Sequence, residues 1–186
     1  MKKSLLFSFA LLMAGCAMSN NYYVLSTASQ PTTHFSSKNR TIGVEKVLVP
    51  KYLFKREIAV AKSASHVTFL DGAVWAEDLD AGLTQRLIGY MQKKFNQPKV
   101  YAYPWGTDRQ PTVKLKVQVT RFIAQGDSVY LDANWEVENM RSSRRKARLF
   151  SVTVPLPGHG SSEIVDAMDR AFGKLEEAIA KGISSF

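Results

Sequence analysis

The second half of the chain alternates apolar and polar residues over long stretches, a pattern typical of β-strands. Apolar residues take every second position across residues 113–119 and again across residues 129–137. A period of two places one face of each strand in the core and the other in water. Residues 125–127, Gln-Gly-Asp, supply a turn between the two stretches, and a third strand follows over residues 148–154. The pattern predicts a three-stranded antiparallel meander.

Two other segments follow a helical period, with apolar residues three or four positions apart. They span residues 75–95 and residues 161–183. Acidic residues open each segment and lysines lie toward its end, which suits the helix dipole. Ser161 is placed to act as the N-cap of the second segment. Both segments are therefore predicted to be amphipathic helices.

Shorter β-type runs occupy the first half of the chain. Residues 22–25 and 100–103 each predict a strand, and residues 41–50 predict a strand with a bulge, because their apolar positions change phase. Residues 57–62 and 67–70 flank a Ser-Ala-Ser turn and predict a hairpin. The order of elements predicts the α+β class, with a mainly antiparallel sheet and two amphipathic helices packed on one face.

The first residues resemble the export signal of bacterial lipoproteins. Lys2 and Lys3 precede an apolar run at residues 5–14, which as a helix is about 15 Å long and too short to cross about 30 Å of hydrocarbon. The run ends in Met-Ala-Gly before Cys16. The resemblance implies that Cys16 carries a thioether-linked diacylglycerol and an acylated amine. An ordinary signal peptide with a chance cysteine is the alternative.

This interpretation divides the chain into three parts. Residues 1–15 form a signal peptide that is removed, residues 16–21 form a lipidated tether, and residues 22–186 form a single α+β domain. Lipoproteins kept in the inner membrane usually carry Asp directly after the cysteine. Ala17 stands there instead, which points to the outer membrane.

Composition narrows the function further. Cys16 is the only cysteine, which excludes an internal disulfide framework and a multi-cysteine metal site. The net charge of +9 falls to +7 when Lys2 and Lys3 are removed, and this charge favours an anionic partner or a membrane surface. Nucleic acid is not an expected partner, because an exported, tethered protein would rarely meet it.

No catalytic motif stands out along the chain. The Gly-His-Gly-Ser run at residues 158–161 superficially suggests a nucleophile region, but a turn before a helix cap explains it. The acidic group Glu77, Asp78 and Asp80 fits dipole compensation better than paired catalytic carboxylates. We therefore expect a protein that is not an enzyme and has no metal or cofactor. None of the three histidines belongs to a metal-binding motif: His34, His66 and His159.

Two surface features are candidates for binding. The first is a group of four cations at a hairpin turn, Arg141, Arg144, Arg145 and Lys146. Such a group suits the phosphates or carboxylates of a lipid headgroup or partner protein, and the alternative is a solvated turn that discourages edge pairing. The second is an aromatic group beside breaks in the pattern, either a binding surface or core packing: Tyr101, Tyr103 and Trp105.

Several short motifs, taken in order, resemble one protein family. They are Tyr22-Tyr23-x-Leu25 soon after Cys16, Val49-Pro50-x-Tyr52-Leu53, Trp75-Ala76-Glu77-x-Leu79-Asp80, and the series Gly126, Val129, Leu131, Ala133 and Trp135. Their order and spacing resemble the ABC-type transport auxiliary lipoproteins. The likeness covers nearly the whole chain after Cys16.

The resemblance implies a role that periodicity alone does not. It implies a lipoprotein on the periplasmic face of the outer membrane that works with an MCE-domain protein of the periplasm to move lipids between the two membranes. Outer-membrane lipids are then a partner, and a homo-oligomeric ring that receives the MCE assembly is expected. Two alternatives stay open: an assembly or structural lipoprotein, such as a pilotin, of another envelope machine, and an envelope lipid or glycan hydrolase.

Overall fold

The computed structural model describes residues 19–37 and 39–185, which form one sheet and two helices. The α+β class predicted from the sequence is confirmed. The helices are α1 (Leu79–Lys94) and α2 (Ser161–Ser184), and short 3-10 turns lie at Lys51–Phe54 and Thr107–Arg109. The strands are β1 (Asn21–Tyr23), β2 (Ile42–Val44), β3 (Glu57–Ser63), β4 (His66–Trp75), β5 (Val100–Ala102), β6 (Val113–Gln125), β7 (Ser128–Asn139) and β8 (Arg144–Pro155).

The predicted meander is formed by β6, β7 and β8. β6 pairs antiparallel with β7 along its whole length, and β7 pairs antiparallel with β8 in the same way. The tight turn between β6 and β7 places Gly126 at a φ of +55°, which glycine adopts without steric strain. A register shift between Val119 and Arg121 interrupts the alternation, so that Phe122 returns to the core.

On its other edge, β6 holds two separate groups of strands. Its first residues, beginning at Val113, pair in parallel with β2, and β2 pairs with β5. Its last residues, Ala124 and Gln125, pair in parallel with β3, which continues to β4 and β1. The predicted hairpin is confirmed by β3 and β4. β1 joins the same sheet through its parallel pairing with β4.

The predicted strand over residues 41–50 is wrong in its extent. β2 ends at Val44, and the next pairing is an isolated bridge between Leu48 and Gln118. Between these points the amide of Val47 donates to Oγ1 of Thr84 in α1 at 2.9 Å. The strand is interrupted because a helix side chain, and not a neighbouring strand, satisfies this backbone donor.

The helix starts also differ from the prediction. α1 begins at Leu79 because Trp75 ends β4, where its amide donates to the carbonyl of Arg56 at 2.6 Å. Gly160, and not Ser161, occupies the N-cap position of α2. Ser161 is the first helical residue, and its hydroxyl bonds to the phenol of Tyr23 at 2.7 Å. This contact joins α2 to β1.

Both helices pack on one face of the sheet. α2 contacts β6, β7 and β8, α1 contacts β2 and β5, and the helices contact each other. Gly182 of α2 lies against the ring of Trp135, where a Cβ atom would collide. The rings of Phe122 and Phe172, with centroids 6.3 Å apart, join β6 to α2. The opposite face of the sheet is called the outer face below.

A buried ionic cluster lies between the helices. Arg86 of α1 is fully buried and donates to Glu176 of α2 at 3.2 Å and to Asp169. Its guanidinium also lies 5.4 Å from the ring centroid of Phe172. Burial raises the pKa of Glu176 to about 8, although the charge of Arg86 opposes that rise.

Candidate functional site

The chain enters the described fold beside β4. The carbonyl of Ser19 lies next to Gly72, and Asn21 begins the pairing of β1 with β4. Gly72 has a φ of +67°, a backbone conformation that favours glycine. Cys16 and the signal lie outside the described residues, so lipidation stays a prediction. Because only two residues separate Cys16 from Ser19, an anchor there would hold the domain by this edge.

The predicted cationic turn lies at the tip of the β7–β8 hairpin, but only Arg141 is in the turn itself, and Arg144, Arg145 and Lys146 begin β8. Asn139 ends β7, and its side-chain oxygen accepts hydrogen bonds from the amides of Arg141 and Ser142 at 3.0 and 3.2 Å. Ser143 completes the turn with a φ of +54°. These side-chain to backbone bonds fix the loop. The side chain of Arg141 is exposed on it.

Strand alternation directs the cations of this tip to two faces. On the outer face, Arg145 pairs with Glu138 across the hairpin at 3.0 Å. On the helix side, Nζ of Lys146 donates to the hydroxyl of Ser185 at 2.8 Å. The two remaining cations of the group are exposed beside the turn. The tip is therefore a basic surface braced by contacts within the chain.

Further cations surround the tip. Lys114 bonds to Glu45 at 2.7 Å, and this bond raises the pKa of Lys114. Arg40 donates to the carbonyl of Ile183 at 2.9 Å, close to the end of α2, where a cation complements the helix dipole. Arg40 is itself buried, so Lys114 and the four cations of the tip are called the basic end below.

The predicted aromatic surface is divided between packing and exposure. Trp105 lies over Gly43 of β2, where a Cβ atom would come within 2.5 Å of the indole. Its Nε1 donates to the carbonyl of Tyr101 at 3.3 Å. Tyr103 packs edge-on against Trp105, with centroids 5.1 Å apart, and is 62% exposed. Trp105 thus covers β2, and Tyr103 is accessible to a partner.

Three of the candidate catalytic side chains have contacts within residues 19–37 and 39–185. His34 contacts the carbonyl of Lys93 at 2.9 Å, and His159 lies 3.4 Å from Asp127 on the surface. Ser161 bonds to a tyrosine and not to a histidine. Within the same ranges, no group of three or more His, Cys, Asp or Glu side chains is placed to hold a metal ion. None of the described helices has the length and apolar character to span a membrane.

A groove of about 750 Å³ separates the loop at residues 29–32 from the two helices. Glu177, on its wall, accepts hydrogen bonds from Lys94 at 2.8 Å and from Tyr90 at 2.6 Å. Charges of both signs thus meet within the groove, which does not present a single-sign surface to a ligand. Its charged lining residues are Arg86, Asp169, Arg170, Lys174, Glu177 and Lys181.

Sequence reasoning missed the buried charges of the two helices. Charged residues are seldom fully buried unless they are paired, so a helical pattern assigns them to solvent. Their spacing is the signal that could have found them. Arg86 comes three residues after Leu83, and Glu176 comes four residues after Phe172, which places both on the apolar stripes of their helices.

Comparison with known proteins agrees with this fold. The family model described as the ABC-type transport auxiliary lipoprotein component matches residues 23–180. The intermembrane transport lipoprotein PqiC of Escherichia coli K12 is 28% identical over 189 residues, covering 98% of each chain, and PqiC of Shigella flexneri matches equally.

Two solved structures share the architecture. The crystal structure of an uncharacterized protein gives a TM-score of 0.74 at 23% identity, covering 89% of this chain and 99% of that chain. A structure from Xanthomonas campestris gives a TM-score of 0.73 at 16% identity, covering 86% of this chain and 92% of that chain. At these identities the likeness concerns the fold alone.

Proposed function

The chain belongs to the ABC-type transport auxiliary lipoprotein family, and from this membership we propose that it is a non-enzymatic accessory component of intermembrane lipid transport. The match of the family model to residues 23–180 carries the proposal. The similarity to PqiC, a protein named as an intermembrane transport lipoprotein, supports it over 98% of both chains. The partner in this role is an MCE-domain protein of the periplasm.

Anchoring is the first part of the proposed role. We propose that lipidated Cys16 holds the domain on the periplasmic face of the outer membrane. Several acyl chains at about 0.8 kcal/mol per buried methylene group retain a protein firmly on a bilayer. A tethered domain is present at a high local concentration for any partner that reaches the membrane, so the anchor favours docking without requiring a large contact surface.

Docking at the basic end is the second part. The hairpin tip follows Asn139, which pairs with Val113 at the start of β6, whereas the tether enters beside strands attached near Ala124. Val113 and Ala124 are about 35 Å apart along the strand at about 3.3 Å per residue. An anchor at the tether therefore leaves the basic end free to face an acidic surface on a periplasmic partner, in preference to the headgroups of the anchoring membrane.

Homo-oligomeric assembly is the third part. A ring of identical subunits needs a heterologous interface formed by two different patches. Among the described residues, the 12-residue strand β8 pairs only with β7 and leaves one edge open. β5 lies at another edge of the sheet, beside the exposed Tyr103. We propose these two edges as the two halves of the interface.

The role needs no catalytic step. The serine of the run that resembled a nucleophile region bonds to Tyr23 at 2.7 Å, which argues against its activation as a nucleophile. A general base must lie within hydrogen-bond reach of the proton that it removes. The contact of Ser161 is with a phenol, which is a poor base at neutral pH.

The proposal is tested by capturing the lipidated full chain from outer membranes of cells that also produce the MCE-domain protein. We expect the MCE-domain protein to co-isolate and the captured chain to have an oligomeric mass. Arg141→Gln should weaken the capture, and Lys174→Gln, which removes an exposed cation from α2, should leave it unchanged. A monomer that ignores the MCE-domain protein and hydrolyses an envelope ester would overturn the proposal.

A further inference from the structure

An apolar strip is exposed on the outer face along β1 and β4. Tyr22 is 64% exposed, and Val67 and Phe69 are 37% and 38% exposed. Large apolar side chains that lie together on a surface mark a site of contact with another body. The strip lies beside the point at which the chain enters the fold.

Strand register places these side chains on one face. Tyr23 contacts Ser161 of α2, so Tyr22, the preceding residue, faces away from the helices. Tyr22 is level with Val74 of β4, which is half-buried. The strip therefore continues from β1 onto β4 on the outer face.

The β3–β4 hairpin extends the strip. Val67 lies opposite Ala61, Phe69 opposite Ala59 and Val74 opposite Glu57. The register shift between Phe69 and Val74 therefore leaves all three on the face of alternate β3 residues. Val67 and Thr120 both line a shallow hollow of about 460 Å³. The residues around Thr120 belong to the outer face, so the hollow opens on that face. Small alanine side chains on β3 leave the larger side chains of β4 standing above the sheet surface.

The length of the preceding chain limits how far this strip can be from an anchor. Ser19 contacts Gly72, which lies on β4 between Phe69 and Val74. Cys16 precedes Ser19 by three residues, which span at most about 10 Å when fully extended. A lipid attached to Cys16 therefore holds the contact between Ser19 and Gly72 within about 10 Å of the membrane surface. Tyr22 and Phe69 each lie three residues, or about 10 Å, farther along their strands.

The charges nearest to the strip in sequence are balanced. Glu57, Asp71 and Glu77 are exposed, and so are Lys55, Arg56 and Lys62. A mixed set of charges gives no strong attraction to an anionic surface, in contrast to the basic end. Apolar burial is therefore the main contribution that this strip offers, and tyrosine is a residue type favoured at the boundary between headgroups and acyl chains.

We propose that the outer-face strip of Tyr22, Val67, Phe69 and Val74 rests on the headgroup–acyl boundary of the bilayer that holds the anchor. This inference depends on the lipidation of Cys16 put forward under the proposed function. It fixes the orientation of the domain, with the strip toward the membrane and the basic end away from it.

The test uses the lipidated full chain in vesicles of phosphatidylethanolamine and phosphatidylglycerol that contain nitroxide-labelled phosphatidylcholine. Because Cys16 is the only native cysteine, a thioether lipid on it leaves an introduced cysteine as the only free thiol. An environment-sensitive fluorophore is attached to Phe69→Cys, and separately to Lys174→Cys on α2 as the control. We expect the nitroxide lipid to quench the label at position 69 several-fold more than the label at position 174.

The quenching at position 69 should be insensitive to salt, since burial and not charge provides the contact. Equal quenching at both positions, or none at position 69 on a lipidated protein, would overturn the inference. The position-69 label could instead be protected from a soluble quencher in detergent and not quenched by the nitroxide lipid in vesicles. This result would show that a second copy covers the strip, and it would also overturn the inference. Mass measurement shows whether Cys16 is lipidated. An unlipidated Cys16 would overturn both the proposed anchor and the proposed orientation, whereas a lipidated Cys16 without quenching at position 69 would overturn the orientation alone.

Discussion

Arg86 of α1 and Glu176 of α2 form an ion pair in which neither side chain is exposed, with Nε 3.2 Å from Oε1. A buried charge costs more than an exposed one, and the guanidinium of Arg86 is tolerated because it donates hydrogen bonds to Glu176 and Asp169. Asp169 supplies a second, half-exposed acceptor for the same guanidinium. The pair fixes how the two helices meet on the sheet.

Above pH 8, where Glu176 is ionised, Arg86→Met should destabilise the domain by about 3 kcal/mol, because it leaves the Glu176 carboxylate buried without its cation. Chemical denaturation of the variant and the parent measures the difference. Lys181→Met is the matched control, since its pair with Glu177 is largely exposed. The control should cost less than about 0.5 kcal/mol. Equal losses in the two variants would show that burial adds nothing to the Arg86 pair.

Glu176→Gln tests the pH dependence of the same cluster. The pKa of Glu176 is raised from 4.5 to about 8 in the folded chain, so the folded state holds a proton that the unfolded state has released. This contribution to stability is complete below pH 4.5 and is lost as pH rises through about 8. The variant does not titrate there. It should gain stability relative to the parent, on the order of 1 kcal/mol per pH unit across that window. Parallel stability curves would contradict the prediction.

The meander was predictable from the sequence because alternation is a local property. The turn at Gly126 was predictable too, because glycine is the residue type that adopts a positive φ without strain. The phase change after Val44 predicted an interruption of this strand, but its cause was not predictable, because it is the side chain of Thr84, 37 residues after Val47. Local patterns therefore identify strands, and long-range side-chain bonds decide where some of them stop.

Each candidate surface was likewise predictable only in part from the sequence. The cationic group was visible as a run of basic residues, but its division between two faces depends on the register of β8 against β7. The aromatic group was visible too, but the burial of Trp105 depends on Gly43, which is 62 residues earlier in the chain. The strip at Tyr22 and Phe69 could not be recognised until β1 was placed beside β4.

Gly43→Ala should displace Trp105, because a Cβ atom would lie 2.5 Å from its ring. Overpacking of this kind costs about 1–3 kcal/mol. Urea denaturation measures the loss, and tryptophan fluorescence reports the local change. Gly173→Ala is the control, since its nearest neighbour outside the helix backbone is 3.6 Å away. In mid-helix this same change should be neutral or stabilising by up to about 1 kcal/mol. Losses of equal size would contradict the packing assigned to Trp105.

Cys16→Ala tests the anchor. The variant should accumulate as an unprocessed or mislocalised product, because the lipid that the family resemblance assigns to Cys16 cannot be attached. Membrane fractionation and mass measurement of the mature chain provide the readout. A variant that is processed normally and still fractionates with the outer membrane would contradict both the anchor and the orientation inferred from it.

Neutralising the hairpin tip should change how partner binding responds to salt. Exposed charges are screened over about 8 Å at physiological ionic strength, so association with the MCE-domain protein should weaken as salt rises. Replacing Arg141, Arg144 and Arg145 together with glutamine should reduce this salt slope and leave thermal unfolding nearly unchanged, because the tip is exposed. Arg145 should contribute less than the exposed Arg141, since Glu138 already holds Arg145 at 3.0 Å. Arg141→Gln alone should therefore lose more of the slope than Arg145→Gln alone. A triple variant with the parental slope would mean that the tip is a solvated turn whose charges only discourage edge pairing.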